Sequence, residues 1–97
     1  MLHIIEINRV EHQILFKRIA VDDSLLWVGN SVLSLAKAAD TVRVFNTYLK
    51  TQRWYVLEDD LQRRGLLAEE IIAGVTIINY QAFVNLTLEH SVIQSWN

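Results

Sequence analysis

Apolar positions in this chain follow two rhythms. Short, nearly continuous runs rich in Val, Ile and Leu recur as Leu2-His3-Ile4-Ile5-Glu6-Ile7, Leu25-Leu26-Trp27-Val28, Trp54-Tyr55-Val56-Leu57 and Val75-Thr76-Ile77-Ile78-Asn79. Such runs predict strands covered on both faces, as in a parallel sheet. Between them the spacing lengthens to that of a helix. Val10 and Ile14 are four apart, as are Leu15 and Ile19, with Asn8 placed to cap and Glu11, His12, Lys17 and Arg18 on the wet side. Asp22-Asp23-Ser24 reads as a turn, and Ser31 as the cap of a short helix carrying Val32, Leu33, Ala36 and Ala39, broken at Asp40-Thr41.

The segment Val42–Lys50 fits two templates. Val42-Arg43-Val44 alternates like a strand, whereas Val42, Phe45, Tyr48 and Leu49 recur at helical spacing. A short helix or irregular turn is preferred, because the chain must cross over to reach the next parallel strand. Leu66 to Ala73 is a connector ending at Gly74. From Tyr80 a last helix runs to about His90, with Phe83, Val84, Thr87 and Leu88 able to face inward, and Ser91 to Asn97 is a tail.

The segment Arg53–Gly65 organises the rest. Its strand passes directly into Glu58-Asp59-Asp60, carboxylates suited to orphan N–H groups and to the positive end of a helix dipole. Leu61 faces the core, Arg63 and Arg64 favour the negative end, and Gly65 supplies a left-handed stop. A strand feeding a capped helix is the front half of a βαβ unit. Repetition of that device predicts an α/β fold related to the flavodoxin plan. It is a small three-layer domain over residues 1–97, with a mainly parallel sheet of four to five strands and helices on both faces.

Composition narrows the chemistry. The 97 residues contain no cysteine, so disulfides, thiolate metal sites and thiol nucleophiles are excluded for them. Net charge is −2 and the nine basic residues form no block, which argues against direct nucleic-acid binding. No apolar run approaches the ~18 residues of a membrane span, and no charged leader precedes the first strand, so a cytoplasmic, membrane-free protein is expected. Hydrophobic residues make up 52% of the chain, slightly above the usual ~45–50%, a hint of apolar surface buried against partners.

Ligands of parallel sheets usually lie beyond the carboxyl ends of the strands. Those ends offer Asn8, Gly29-Asn30-Ser31, Glu58-Asp59-Asp60 and Asn79-Tyr80. Gly29-Asn30-Ser31 lacks the spaced glycines of a dinucleotide loop and the Lys of a phosphate loop, and reads as a turn. The three acids are consecutive, with no Lys at a strand end, and read as a helix start rather than a magnesium site. His3, His12 and His90 have no metal-ligand spacing. They read as a hydrogen-bonded sheet histidine, a surface residue and a helix-end residue. No nucleophile elbow presents a serine. No catalytic residue, metal ligand or cofactor is therefore expected. Two of the three Trp suit a core. Trp96, near the chain end, must find somewhere to pack, and a neighbouring subunit is a natural place.

The opening Met1-Leu2-His3, the central Tyr55-Val56-Leu57-Glu58-Asp59-Asp60-Leu61 with Arg64-Gly65-Leu66, and the closing Tyr80, Phe83-Val84, Leu86-Thr87, His90 and Gln94-Ser95-Trp96 resemble the TusB/DsrH family. The resemblance covers nearly the whole chain and rests on the combined order of these motifs. It implies a DsrE-like fold and a place in an assembly with TusC-like and TusD-like subunits, built as a dimer of heterotrimers. In that family's sulfur relay, persulfide sulfur passes through TusA-like, TusD-like and TusE-like carriers toward 2-thiouridine at the tRNA wobble position. Dissimilatory relatives in DsrEFH complexes serve sulfur oxidation. DsrH-type members carry a cysteine in the first helix, and the helix near Ile14 and Leu15 here has none. A persulfide needs a thiolate to receive the transferred atom. The resemblance therefore implies a non-catalytic, structural subunit of the tRNA-thiolation branch. Phe45, Gln94 and Trp96, large side chains in terminal or irregular segments, are candidate interface residues, with burial in the chain's own core as the equal alternative. The competing readings are a DsrH-like subunit of a sulfur-oxidation complex, a homo-oligomeric DsrE-like binding module, and a small enzyme using Glu58, Asp59 and Asp60.

Overall fold

The computed structural model describes residues 1–6, 12–39, 42–49 and 52–96, and the side chains of 12–14 and 42–44 lie outside that description. Expectations for Ile7, Asn8, Val10, Glu11 and the Asp40-Thr41 break, and for the His12 and Ile14 side chains, thus concern parts of the chain that are not described. Among the described residues eleven elements follow one another. They are β1 (Leu2–Ile5), α1 (His12–Arg18), β2 (Ser24–Trp27), a 3-10 segment (Gly29–Leu35), α2 (Val42–Tyr48), β3 (Arg53–Leu57), α3 (Glu58–Arg63), a 3-10 turn (Ala68–Glu70), β4 (Val75–Ile78), α4 (Tyr80–Glu89) and β5 (Ile93–Trp96).

All five strands are parallel, in the order β4-β3-β2-β1-β5. The sheet grows in one direction from β1 to β4, and α4 then carries the chain back past β1 to place β5 on the far side. Right-handed crossovers put helices on one face while the chain advances and on the other when it returns. The packing agrees. Leu15 and Phe16 of α1, Phe45 of α2, Leu61 of α3, and Val32 and Leu35 of the 3-10 segment share one core with Ile5, Leu25, Trp27, Trp54 and Val56. Among the described residues only α4 lies over the opposite face, where Leu86 and Phe83 meet Leu2, Leu26, Val28, Tyr55 and Ile78. The alternate strand residues divide cleanly between the two cores, the period-two rule of a pleated sheet.

The thicker core is aromatic. Phe16 stacks on Tyr48 with ring centroids 4.3 Å apart and packs against Phe45 and Trp54, while Trp27 touches both Phe45 and Trp54. Each such pair adds about 0.5–1.5 kcal/mol beyond its buried area. This network decides the ambiguity of residues 42–49. Helical spacing turns Phe45 into the core, only 1% exposed, with Tyr48 and Leu49 beside it, so the segment is a helix.

Four details differ from the sequence reading. The tail is a fifth strand, with Ile93–Trp96 in register with Leu2–Ile5. Ser31 does not cap a helix. The 3-10 segment starts at Gly29, and the Ser31 hydroxyl lies 2.6 Å from the Ile5 carbonyl and 2.7 Å from that of Val28, both of which can share its single proton. Leu33 is exposed. In α4 Leu86 is the buried side chain and Leu88 faces outward. Apolar residues ring that helix, so its phase was not legible. Asn79 fits its place at a strand end as the N-cap of α4, its side chain accepting from the Ala82 amide at 2.9 Å.

Candidate functional site

The carboxyl ends of β2 and β3 are joined by α3. None of its three acids caps its own helix, whose N-cap is Leu57 without a side-chain bond. Glu58 and Asp59 are exposed and remain at the favourable end of the dipole. Asp60 instead turns across the sheet end and accepts the Gly29 amide at 2.9 Å. Arg64, one turn on, approaches Asp60 Oδ1 at 3.5 Å and donates to Asn30 Oδ1 at 2.8 and 3.2 Å. The helix stops as expected. Gly65 has φ +69°, and the Gly65 and Leu66 amides donate to Gln62 and Leu61, a Schellman closure. The group is a brace between two loops, with both carboxylate oxygens of Asp60 and the Asn30 oxygen engaged. A hard cation wants such oxygens turned toward one empty point.

A second polar group sits at the amino ends of the strands, inside the larger core. His3, 2% exposed on β1, places Nε2 2.8 Å from Asp23 Oδ2. The Trp96 indole N–H donates to its Nδ1 at 3.0 Å. Indole is a donor only, so Nδ1 must accept, which leaves the imidazole proton on Nε2 to donate to Asp23. The Ala20 amide and the Met1 ammonium also donate to Asp23, at 3.0 and 3.2 Å. Burial pushes the Asp23 carboxyl up, but the hydrogen bonds from His3, Ala20 and the N-terminus outweigh it and hold the group below its ordinary 3.8. An Asp–His pair invites comparison with a catalytic dyad. In such a dyad the second imidazole nitrogen faces a nucleophile or substrate. Here that nitrogen is occupied by Trp96, and the ring is closed to solvent.

The groove beside α4 has a volume of about 270 Å³ and is lined by Tyr55, Ile78, Ala82, Asn85, Leu86 and Glu89. Its polar groups are one exposed carboxylate, a phenol, and an amide whose oxygen accepts from Gln81 at 3.3 Å. Among the described residues no histidine or serine lines it. Among the described residues no group of three His, Asp or Glu is placed to hold a metal ion, and no helix is long and apolar enough to cross a membrane.

The candidate interface residues are placed unequally. Phe45 lies inside the chain's own core and presents no surface to a partner. Gln94 and Trp96 come together on β5, Gln94 exposed and Trp96 half-buried against His3. The His3–Asp23–Trp96 group itself joins residues 20 and 93 positions apart. Local spacing carries no trace of such a contact.

TusB proteins of Yersinia pestis (strain Pestoides F) and Yersinia pseudotuberculosis (serotype O:1b) are each 32% identical to the chain over 75 residues, 77% of this chain and 76% of theirs. A solved structure of a protein of unknown function from Methanobacterium thermoautotrophicum superposes with a TM-score of 0.76 over 97% of this chain and 95% of that one, at 13% identity, and so shares the fold. The family model described as "DsrH like protein" matches residues 7–93, every element from α1 to α4 though not β1 or most of β5, and the chain belongs to that DsrH-like family.

Proposed function

We propose that this chain is a structural, non-catalytic subunit of a cytoplasmic sulfur-relay assembly of the TusBCD kind, supporting 2-thiolation of the wobble uridine of tRNA. The observation that carries the reading is the absence of cysteine from a chain of this family. Sulfane sulfur moves when a thiolate attacks the terminal sulfur of a donor persulfide. A chain without a thiol takes no covalent part, so the carrier cysteine belongs to a TusD-like neighbour. The role left is to position and shield that neighbour's sulfur-bearing loop.

The exposed apolar surface supports this reading. β5 is an edge strand, and an edge offers unpaired backbone groups to another chain. Beside it Met1, Val92 and Ile93, 46%, 52% and 43% exposed, gather at the amino ends of β1 and β5. Apolar side chains next to an open edge are the usual anchors of a protein interface. In this reading Gln94 and the exposed part of Trp96 meet a TusC-like or TusD-like partner, and two such heterotrimers pair.

Co-expression with a TusC-like and a TusD-like protein, followed by purification on a single tag, tests the assembly. Recovery of all three in fixed ratio is expected, with radiolabelled sulfur from a persulfide donor on the partner and none on this chain. Dithiothreitol-sensitive label on this chain, or its recovery as a stable monomer, would end the proposal.

A further inference from the structure

We propose that His3 is a pH-operated latch on β5: the neutral imidazole holds Trp96, and the protonated one keeps Asp23 and releases Trp96. The inference stands on the hydrogen-bond chain alone and does not depend on the sulfur relay. Trp96 Nε1 can only donate, and it points at His3 Nδ1 from 3.0 Å. A second proton on the imidazole goes to that nitrogen, leaving two N–H groups facing each other. The other side of the ring responds oppositely. Nε2–H to Asp23, already 2.8 Å, becomes a charge-assisted bond, which is the stronger kind. One protonation therefore tightens β1 to the Asp23 loop and breaks the side-chain tie to β5.

The surroundings favour this outcome over general unfolding. Among the described residues the charged groups that meet the ring are the Asp23 carboxylate and, bound to the same carboxylate, the Met1 ammonium. Across the sheet its register neighbours, Leu25 and Gln94, are neutral, and Lys17 and Arg18 at the end of α1 are exposed. Asp23 stays ionised throughout the range in which histidine changes charge, because its carboxyl is held below 3.8. β5 is also the strand with least to lose. It has one neighbour, and its side chains are exposed apart from Trp96.

Hydrogen–deuterium exchange of the full-length chain as purified, compared at about pH 8 and about pH 5 after correction for intrinsic exchange, reads the latch directly. Acid should speed exchange in peptides covering β5 by about tenfold and leave β2 and β3 unchanged, as expected for one hydrogen bond replaced by a clash. In His3→Gln the side-chain amide can still donate to Asp23 but does not titrate, so β5 should exchange alike at both pH values. Trp96→Phe lacks the opposing donor and should also be flat, which keeps the test sound if His3→Gln does not fold. Protection of wild-type β5 that is unaffected by acid, or lost equally from β3, overturns the proposal. So does an unchanged acid response in both variants.

Discussion

Asp60 belongs to the first turn of α3, yet its Oδ2 accepts a hydrogen bond from the Gly29 amide, 2.9 Å away at the end of β2. A residue suited by type to capping its own helix thus ties two loops at the carboxyl edge of the sheet. Asp60 is 8% exposed, and Asp59, its neighbour, is exposed. Removing a buried charged acceptor strands the Gly29 donor. Asp60→Ala should therefore cost about 1.5–3 kcal/mol in urea unfolding, and Asp59→Ala should stay within about 0.5 kcal/mol of wild type. Equal losses in the two variants would mean that the brace contributes nothing.

Asp23 gives the chain a defined acid limit. Its folded pKa lies below the ordinary 3.8, so the unfolded chain binds the proton more readily. The stability it contributes is complete above 3.8 and is lost as the pH falls through the lower folded value. Urea midpoints measured from about pH 5 to about pH 2.5 should fall more steeply for wild type than for Asp23→Asn, which has no such proton to take up. Parallel curves would show that the bonds from His3, Ala20 and Met1 do not discriminate between the carboxylate and its acid.

Much of this architecture was legible because parallel strands buried on both faces leave continuous apolar runs. Leu25-Leu26-Trp27 needed no partner to be recognised. The Arg53–Gly65 unit was legible for a different reason: its stop at Gly65 is a local backbone requirement. β5 was not, since an edge strand faces water and Gln94 and Ser95 resemble a tail. The single clue was the alternation of Ile93 and Ser95 with Gln94 and Trp96, read against the β-branched pair Val92-Ile93. Phe45 was a candidate for an interface and equally for the core, where it lies, because an aromatic in an irregular-looking segment gives no sign of which side it takes. The tertiary role of Asp60 escaped altogether, whereas His3 reads as a hydrogen-bonded sheet histidine and is one, but its partners were not legible. Their partners are 31 residues away for one, and 20 and 93 for the other.

The phase of α4 makes a direct mutational contrast. Leu86 is 7% exposed and anchors α4 over its face of the sheet, whereas Leu88 is 79% exposed. Leu86→Ala should cost about 2–4 kcal/mol, from lost transfer energy plus the cavity left beneath the helix. Leu88→Ala should change stability by less than about 0.5 kcal/mol. Denaturant midpoints of the two variants decide it, and a larger loss for Leu88 would place the wrong side of α4 against the sheet.

The two edges of the sheet differ, and the difference bears on assembly. β4 ends the sheet on one side with Thr76 exposed, and β5 ends it on the other with Val92 and Ile93 exposed near Met1. A lysine on an edge strand opposes pairing with another chain because its charge must be desolvated, yet it costs the free domain little. Ile93→Lys should leave the thermal midpoint of the chain nearly unchanged and reduce recovery of tagged partners by about tenfold, the effect of ~1.4 kcal/mol at an interface. Thr76→Lys on the opposite edge should leave recovery as it was. Single-tag purification of the co-expressed proteins reads both variants, and loss of partners from the Thr76 variant alone would move the docking edge from β5 to β4.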